Sequence, residues 1–221
     1  LYAIWYHYYS GWDQRDLILL SVIGVWAIRL SFHLLVDRIW KKPEEGRYQE
    51  LRRSWKTNIP IKFFFFYQAQ TLFNWLVCVP FLISSLSSET EVTNLDWLGV
   101  LIVVVGVIGE SLSDFQLQRF KKRKDRATRV CREGLWNYSR HPNYFFVFLT
   151  WIGFSVFALS GPYGVGNLLG LIGPVFMFLT LYKVTGIPAT EAHAVRTKGD
   201  EYIRYQNEVS EFFPIPKKKK L

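Results

Sequence analysis

The chain is poor in the residues that build disulfide frameworks and metal sites. Its 221 residues include two cysteines and four histidines. Cys78 lies in an apolar run and Cys131 in a basic stretch, so a stapled secreted scaffold is excluded. No Cys/His spacing suits a metal, and no Walker loop, GxGxxG or GxSxG motif is present, which removes the common nucleotide-loop and serine-hydrolase readings. Acidic residues are scarce as well, 18 against 27 Lys and Arg. There is no internal repeat and no cleavable leader; because the sequence opens on Leu1 rather than Met, further residues upstream are expected.

What is abundant is apolar and aromatic. Half of the residues are hydrophobic and 18% are aromatic, yet the net charge is +9. A soluble globule does not combine these easily, whereas a membrane protein does so by gathering its charges into loops. Residues 17–36, 63–88 and 97–109 are each apolar enough to enter a bilayer, and 144–182 runs for 39 residues without a charge, enough for two spans separated by the GPYG turn at 161–164. Pro80 predicts a kink in the second of these, where Tyr67, Gln70 and Asn74 form a polar edge. Eight Lys or Arg fall in 37–62, nine in 119–140 and eight in 183–221, so 25 of 27 occupy alternate loops and share one side. The positive-inside rule makes that side cytosolic. The expectation is an all-α polytopic membrane bundle of about five transmembrane helices, with an interfacial or truncated segment at 1–16 and one membrane domain with a cytosolic tail at 17–221.

Three polar clusters converge on the cytosolic ends of these spans. Arg29, His33 and Asp37 repeat every fourth residue and so share a helix face. Glu110, Asp114, Gln118 and Lys121 fall within an arc of about 80° and form a stripe on the third span. The third cluster is GLWNYSRHPNY at 134–144, in which Pro142 fixes its own φ and pushes His141 out of helical geometry, so the chain turns before a new helix begins. Arg140 can grip a phosphate in a fork, and His141 and Asn143 can donate or accept. A basic cap followed by proline is also ordinary at a membrane interface. Ionisable groups inside a bilayer are costly and usually face a bundle interior or a wet cavity, so Glu110 and Asp114 mark a site or an interhelical hydrogen bond. The run 121–126 reads as a loop touching lipid headgroups. With so many cations on one membrane face, nucleic acid is a poor partner and an anionic lipid or phosphorylated cofactor a better one.

The segments WAIRLSFHLLVDR, EEGRYQELR, FFYQAQ, GESLSDFQLQRFK, GLWNYSRHPNYFF, GPVFMFLTLYKVTGIPATE and EYIRYQNEVSEFFP cover 26–214. In their order they resemble the steroid 5-alpha-reductase-like membrane family, in its branch with a domain of unknown function. The Arg-His-Pro-Asn-Tyr segment is also similar to sterol reductases and to isoprenylcysteine methyltransferases. Members usually carry one or two further N-terminal spans. The resemblance implies NADPH bound on the cytosolic side and reduction of a conjugated C=C bond in a steroid or other membrane lipid. It implies cofactor contacts at Arg140, His141, Asn143 and Tyr144, at Asp114, Gln118 and Lys121, and at Glu191, Tyr202 and Tyr205. It places His33, Arg38 and Glu110 toward the catalytic end, and no metal is expected, since no Cys/His spacing suits one. Two alternatives stay open: an S-adenosylmethionine-dependent methyltransferase using the same pocket, and a non-catalytic subunit of a larger membrane complex. Lys218 and Lys219 match a dilysine retrieval signal, which points to the endoplasmic reticulum with a mitochondrial inner-membrane home as the alternative; a polybasic tail on anionic lipid reads the same way.

Overall fold

The computed structural model describes residues 13–40, 46–85, 91–161, 164–184 and 186–216. The aromatic start at 1–12, Glu44 and Glu45, the centre of the GPYG turn and the tail carrying Lys218 and Lys219 lie outside the described residues, as do the side chains of Arg38, Arg47 and Glu50.

Within these residues the protein is helical. Helix α1 (Gln14–Leu34) starts earlier than the hydropathy predicts, because Asp13 caps it by accepting from the Asp16 amide at 2.8 Å. It runs into a π turn, Leu35–Ile39. A short amphipathic helix α2 (Gly46–Trp55) leads to α3 (Ile59–Val77) and α4 (Val79–Ser85). These two form one apolar run bent by 43°, where Pro80 cannot supply the amide that would continue the ladder across Cys78. Helix α5 (Asn94–Lys121) opens on a capping box, with the Thr93 hydroxyl accepting from the Asp96 amide and the Asp96 carboxylate accepting from the Thr93 amide. Helix α6 (Pro142–Leu159) begins on the proline of the central motif. A tight 3-10 segment, Gly164–Leu171, leads to α7 (Ile172–Leu179), and α8 (Ile187–Lys198) and α9 (Asp200–Glu208) close the chain.

Among the described residues four stretches are long and apolar enough to cross a membrane: Gln14–Asp37, Asn94–Lys121, Pro142–Leu159 and Gly164–Lys198, with α3 and α4 together making a fifth. This is the polytopic all-α bundle that the apolar runs predict, except that the last helical stretch continues past residue 182 into what reads as polar tail. Large apolar side chains face outward, Ile28 at 73% and Trp75 at 76% exposure, which suits contact with lipid rather than water. The polar edge expected from Tyr67, Gln70 and Asn74 turns outward too, since Tyr67 and Asn74 are exposed and Gln70 is half-buried.

The centre of the bundle is the α5–α6 pair. A Cβ on Gly99 would lie 2.9 Å from the Gly153 carbonyl oxygen and 3.0 Å from the Phe157 amide, so the two backbones come close where Gly99 faces Gly153. Around that seam Val77, Val103, Trp151 and Phe154 form the core, with Trp26 of α1 set edge-on against Trp151 at 5.6 Å.

Two arginines attach α1 to this pair, one near each end. Arg15, 2% exposed, donates to Asp96 at 3.1 Å, to the carbonyls of Ser84 at 3.4 Å and Phe157 at 2.9 Å, and to the Ser160 hydroxyl at 2.8 Å. It therefore ties the start of α1 to the end of α4, the start of α5 and the end of α6. Arg29 does the corresponding job at the opposite end, beside the basic loops.

Candidate functional site

At the basic end, the three polar clusters meet. Arg29 donates to Glu110 and to Asp114 at 2.5 Å each and to the Ser111 hydroxyl at 3.1 Å. His33 Nε2 lies 3.6 Å from Asp114, and Asp37 lies 3.8 Å from the ammonium of Lys121. The face of α1 and the stripe of α5 are thus opposite halves of one interface. Asp114 has a second neighbour, since Asn143 at the start of α6 donates to its other oxygen at 3.3 Å. Gln118 is half-buried on α5 and takes no part in this set.

The central motif is held by the C-terminal helices. Gly134, with φ +52, opens a 3-10 turn over Gly134–Asn137, and Gln116 fills the space where its side chain would be. Trp136 donates to the Ser113 carbonyl at 3.0 Å, which pins the turn to α5. The Ser139 hydroxyl donates to the Phe212 carbonyl at 2.8 Å, and the Arg140 amide donates to the Ser210 carbonyl at 2.8 Å. His141 precedes Pro142 at φ −136 and ψ 57, outside helical geometry as its position demands.

Glu191 of α8 is the hub of this region. It accepts from Arg140 Nε at 2.6 Å, from Gln206 at 2.6 Å and from the Tyr202 hydroxyl at 3.3 Å, and it lies 3.1 Å from His141 Nε2. Arg140 Nη2 donates to the other Glu191 oxygen at 3.3 Å, and Nη1 donates to the Gln206 and Val209 carbonyls at 2.9 and 2.8 Å. Arg140 is therefore engaged within the protein on every side. Its fork, expected near a phosphate, instead locks α8 and α9 to the motif. Burial pushes the Tyr202 and Tyr205 hydroxyls well above their ordinary range, with Glu191 adding to the effect on Tyr202, so both stay protonated donors. Tyr205 uses its proton on the Trp136 carbonyl at 2.5 Å.

Between α5, the basic loop, the motif and α8 lies a cavity of about 490 Å³. Seven residues expected to contact a cofactor line it: Lys121, Arg140, His141, Asn143, Tyr144, Tyr202 and Tyr205. Asp114 stands behind Asn143, and Glu191 stands behind Arg140, His141 and Tyr202. Neither they nor Gln118 line the cavity. His33 and Glu110 lie outside it on the α1–α5 interface, and the Arg38 side chain is beyond the description.

Much of the opposite wall comes from residues that the sequence pattern does not single out. Thr190, His193, Ala194, Thr197 and Lys198 form one face of α8 at helical spacing, and Arg126 comes from the loop assigned to headgroups. The Lys198 ammonium donates to the Arg126 carbonyl at 2.8 Å and to the Arg129 carbonyl, and sits 5.3 Å from the Phe120 ring. Arg126 donates to the Lys121 carbonyl at 2.8 Å. Among the described residues neither cation forms an ion pair with a carboxylate. His141 and Tyr144 stack at 5.4 Å with planes 11° apart, and present a flat aromatic surface beside them.

Comparison with protein families matches residues 1–209 to the family described as "Protein of unknown function (DUF1295)". Neither a curated protein nor a solved structure gives a match.

Proposed function

The chain belongs to that family, and on this premise we propose that it is an NADPH-dependent reductase of a conjugated C=C bond in a steroid or other membrane lipid. The observation that carries the reading is the pairing, in one cavity, of two cations, Arg126 and Lys198, that have no carboxylate partner among the described residues, with stacked aromatic rings. Such a set suits a dinucleotide with phosphates at one end and a flat ring at the other. Lys121, Arg126 and Lys198 would hold the phosphates, and His141, Asn143 and Tyr144 would border the ring system. Bound NADPH would supply a hydride for the alkene.

The protein's own contribution is positioning. Glu191 fixes His141 and Arg140, and α8 and α9 form a wall that limits water. On the α1–α5 side, Arg29, His33, Glu110 and Asp114 adjoin the cavity through Asn143 and would serve the acid–base part of the reaction. The loop-charge asymmetry supports a cytosolic position for this end, and we propose the endoplasmic reticulum as its membrane, with the mitochondrial inner membrane as the alternative.

The test is a thermal-shift titration of the purified protein with NADPH and S-adenosylmethionine side by side. NADPH at about a hundred times its Kd should stabilise by about 2.7 kcal/mol. His141→Ala and Asn143→Ala should each remove that shift while leaving a cooperative unfolding transition. A shift with S-adenosylmethionine alone would overturn the reading in favour of methyl transfer, and a shift with neither would favour a non-catalytic subunit.

A further inference from the structure

Glu110 and Asp114 lie one turn apart on α5 and share the single guanidinium of Arg29. Glu110 is 5% exposed, and its Oε2 has no hydrogen-bond partner. Two carboxylates on one guanidinium leave an excess negative charge inside a helix pair that reads as membrane-embedded, which is costly there. One proton removes the excess. Two places can hold it: the unpartnered Oε2 of Glu110, and the His33 ring 3.6 Å from Asp114. The His33 side chain is 22% exposed, so the cluster has a route for exchange with its surroundings.

Among the described side chains, the other charged groups at this interface are accounted for. From α1 come Arg29 and His33, and from the following π turn Asp37, which faces Lys121 at 3.8 Å. From the start of α6 comes only the uncharged amide of Asn143, which donates to Asp114 Oδ1 at 3.3 Å and also lines the cavity. Asp114 therefore has one oxygen turned to the proton-holding group and the other to the cavity wall.

We infer that Glu110, Asp114 and His33, gathered around Arg29, form a one-proton binding site inside the bundle, coupled through Asp114 and Asn143 to whatever anion occupies the cavity. The proton belongs to the cluster rather than to one residue. A polyanion in the cavity raises the proton occupancy of the cluster, and by reciprocity protonation tightens anion binding. The proton site rests on the geometry at α1 and α5 alone; only the choice of NADPH as the anion rests on the proposed function.

Infrared difference spectroscopy of the protein in nanodiscs, titrated from about pH 5 to about pH 8, tests the site without any ligand. The expected result is a protonated-carboxyl C=O band that Glu110→Gln removes, Asp114→Asn shifts, and whose midpoint moves in His33→Gln. Absence from the unaltered protein of both such a band and a titrating imidazolium band that His33→Gln removes would overturn the proposal, as would a carboxyl band unchanged in both acidic-residue variants. The wild-type spectrum decides even where a variant fails to fold. Coupling is read by titration calorimetry with NADPH in two buffers of different ionisation enthalpy. Uptake of roughly one proton per NADPH, lost in Glu110→Gln, which leaves the cavity lining intact and still binds, is expected. Binding with buffer-independent heat would overturn the coupling. Absence of any NADPH binding would refute the nucleotide reading, while the infrared result would still decide the proton site.

Discussion

Arg15 and Arg29 stand on the same helix and both reach across to α5, yet they do different work. Arg15 meets one carboxylate, one hydroxyl and two carbonyls, and Asp96 is fully buried beneath it. Charge is balanced and the donors are used. Arg29 meets two carboxylates, leaves an acceptor of Glu110 without a partner, and keeps 16% of its side chain exposed beside a cavity. A balanced, closed ion pair holds helices together. An unbalanced one next to a cavity holds them together and keeps a site able to change charge. The difference in stoichiometry, rather than the presence of buried charge, separates a structural clasp from a candidate functional group.

The largest effect is expected at the clasp. Arg15→Gln leaves Asp96 buried without its counter-charge and should cost about 3–5 kcal/mol of stability. Chemical denaturation in detergent would show it, and NADPH affinity of the folded fraction should be unchanged. A variant of unaltered stability but weakened binding would reverse the roles assigned to the two ends.

A smaller loss is expected at the seam nearby. Gly99→Val places side-chain atoms against the α6 backbone, and overpacking of this kind costs about 1–3 kcal/mol. A melting temperature equal to that of the unaltered protein would show that α5 and α6 are not in close contact there.

At the other end, effects should fall on binding and leave stability alone. Lys198→Ala and Arg126→Ala should each weaken NADPH about tenfold, or ~1.4 kcal/mol, with the loss shrinking as salt rises. Equal affinity at low salt in both variants would remove these cations from the phosphate site.

The smallest effect concerns Cys131, on the same cavity wall. Burial pushes its thiol above the ordinary 9.0, so the thiolate is scarce at neutral pH and grows only as the solution becomes alkaline. In a Cys78→Ser background, maleimide labelling should be slow at neutral pH, accelerate in alkaline buffer and slow further with NADPH. Rapid neutral labelling, indifferent to NADPH, would place the thiol outside the cavity.

The sequence carried those parts of this arrangement that depend on local periodicity. The spacing of Arg29, His33 and Asp37 and the stripe from Glu110 to Lys121 are both readable as helix faces, and Pro80 announces the bend at Cys78. What periodicity does not carry is which face meets which. That Arg29 answers Glu110 and Asp114, and that Arg140 is absorbed by Glu191, are long-range pairings between elements far apart in the chain. Arg15 escaped notice because it precedes the apolar run, and Asp96 because it sits in a short acidic loop, although the Thr93 to Asp96 capping box was legible. Thr190, His193, Thr197 and Lys198 were readable as one helix face, but the polar composition after Lys183 suggested tail rather than wall.

The most direct test of the account is an experimental structure of the protein with NADPH added. Density for the nucleotide is expected between α5 and α8, with its phosphates near Lys121, Arg126 and Lys198 and a ring beside His141. A cavity filled by lipid or by repacked side chains, with the nucleotide elsewhere or absent at saturating concentration, would contradict it.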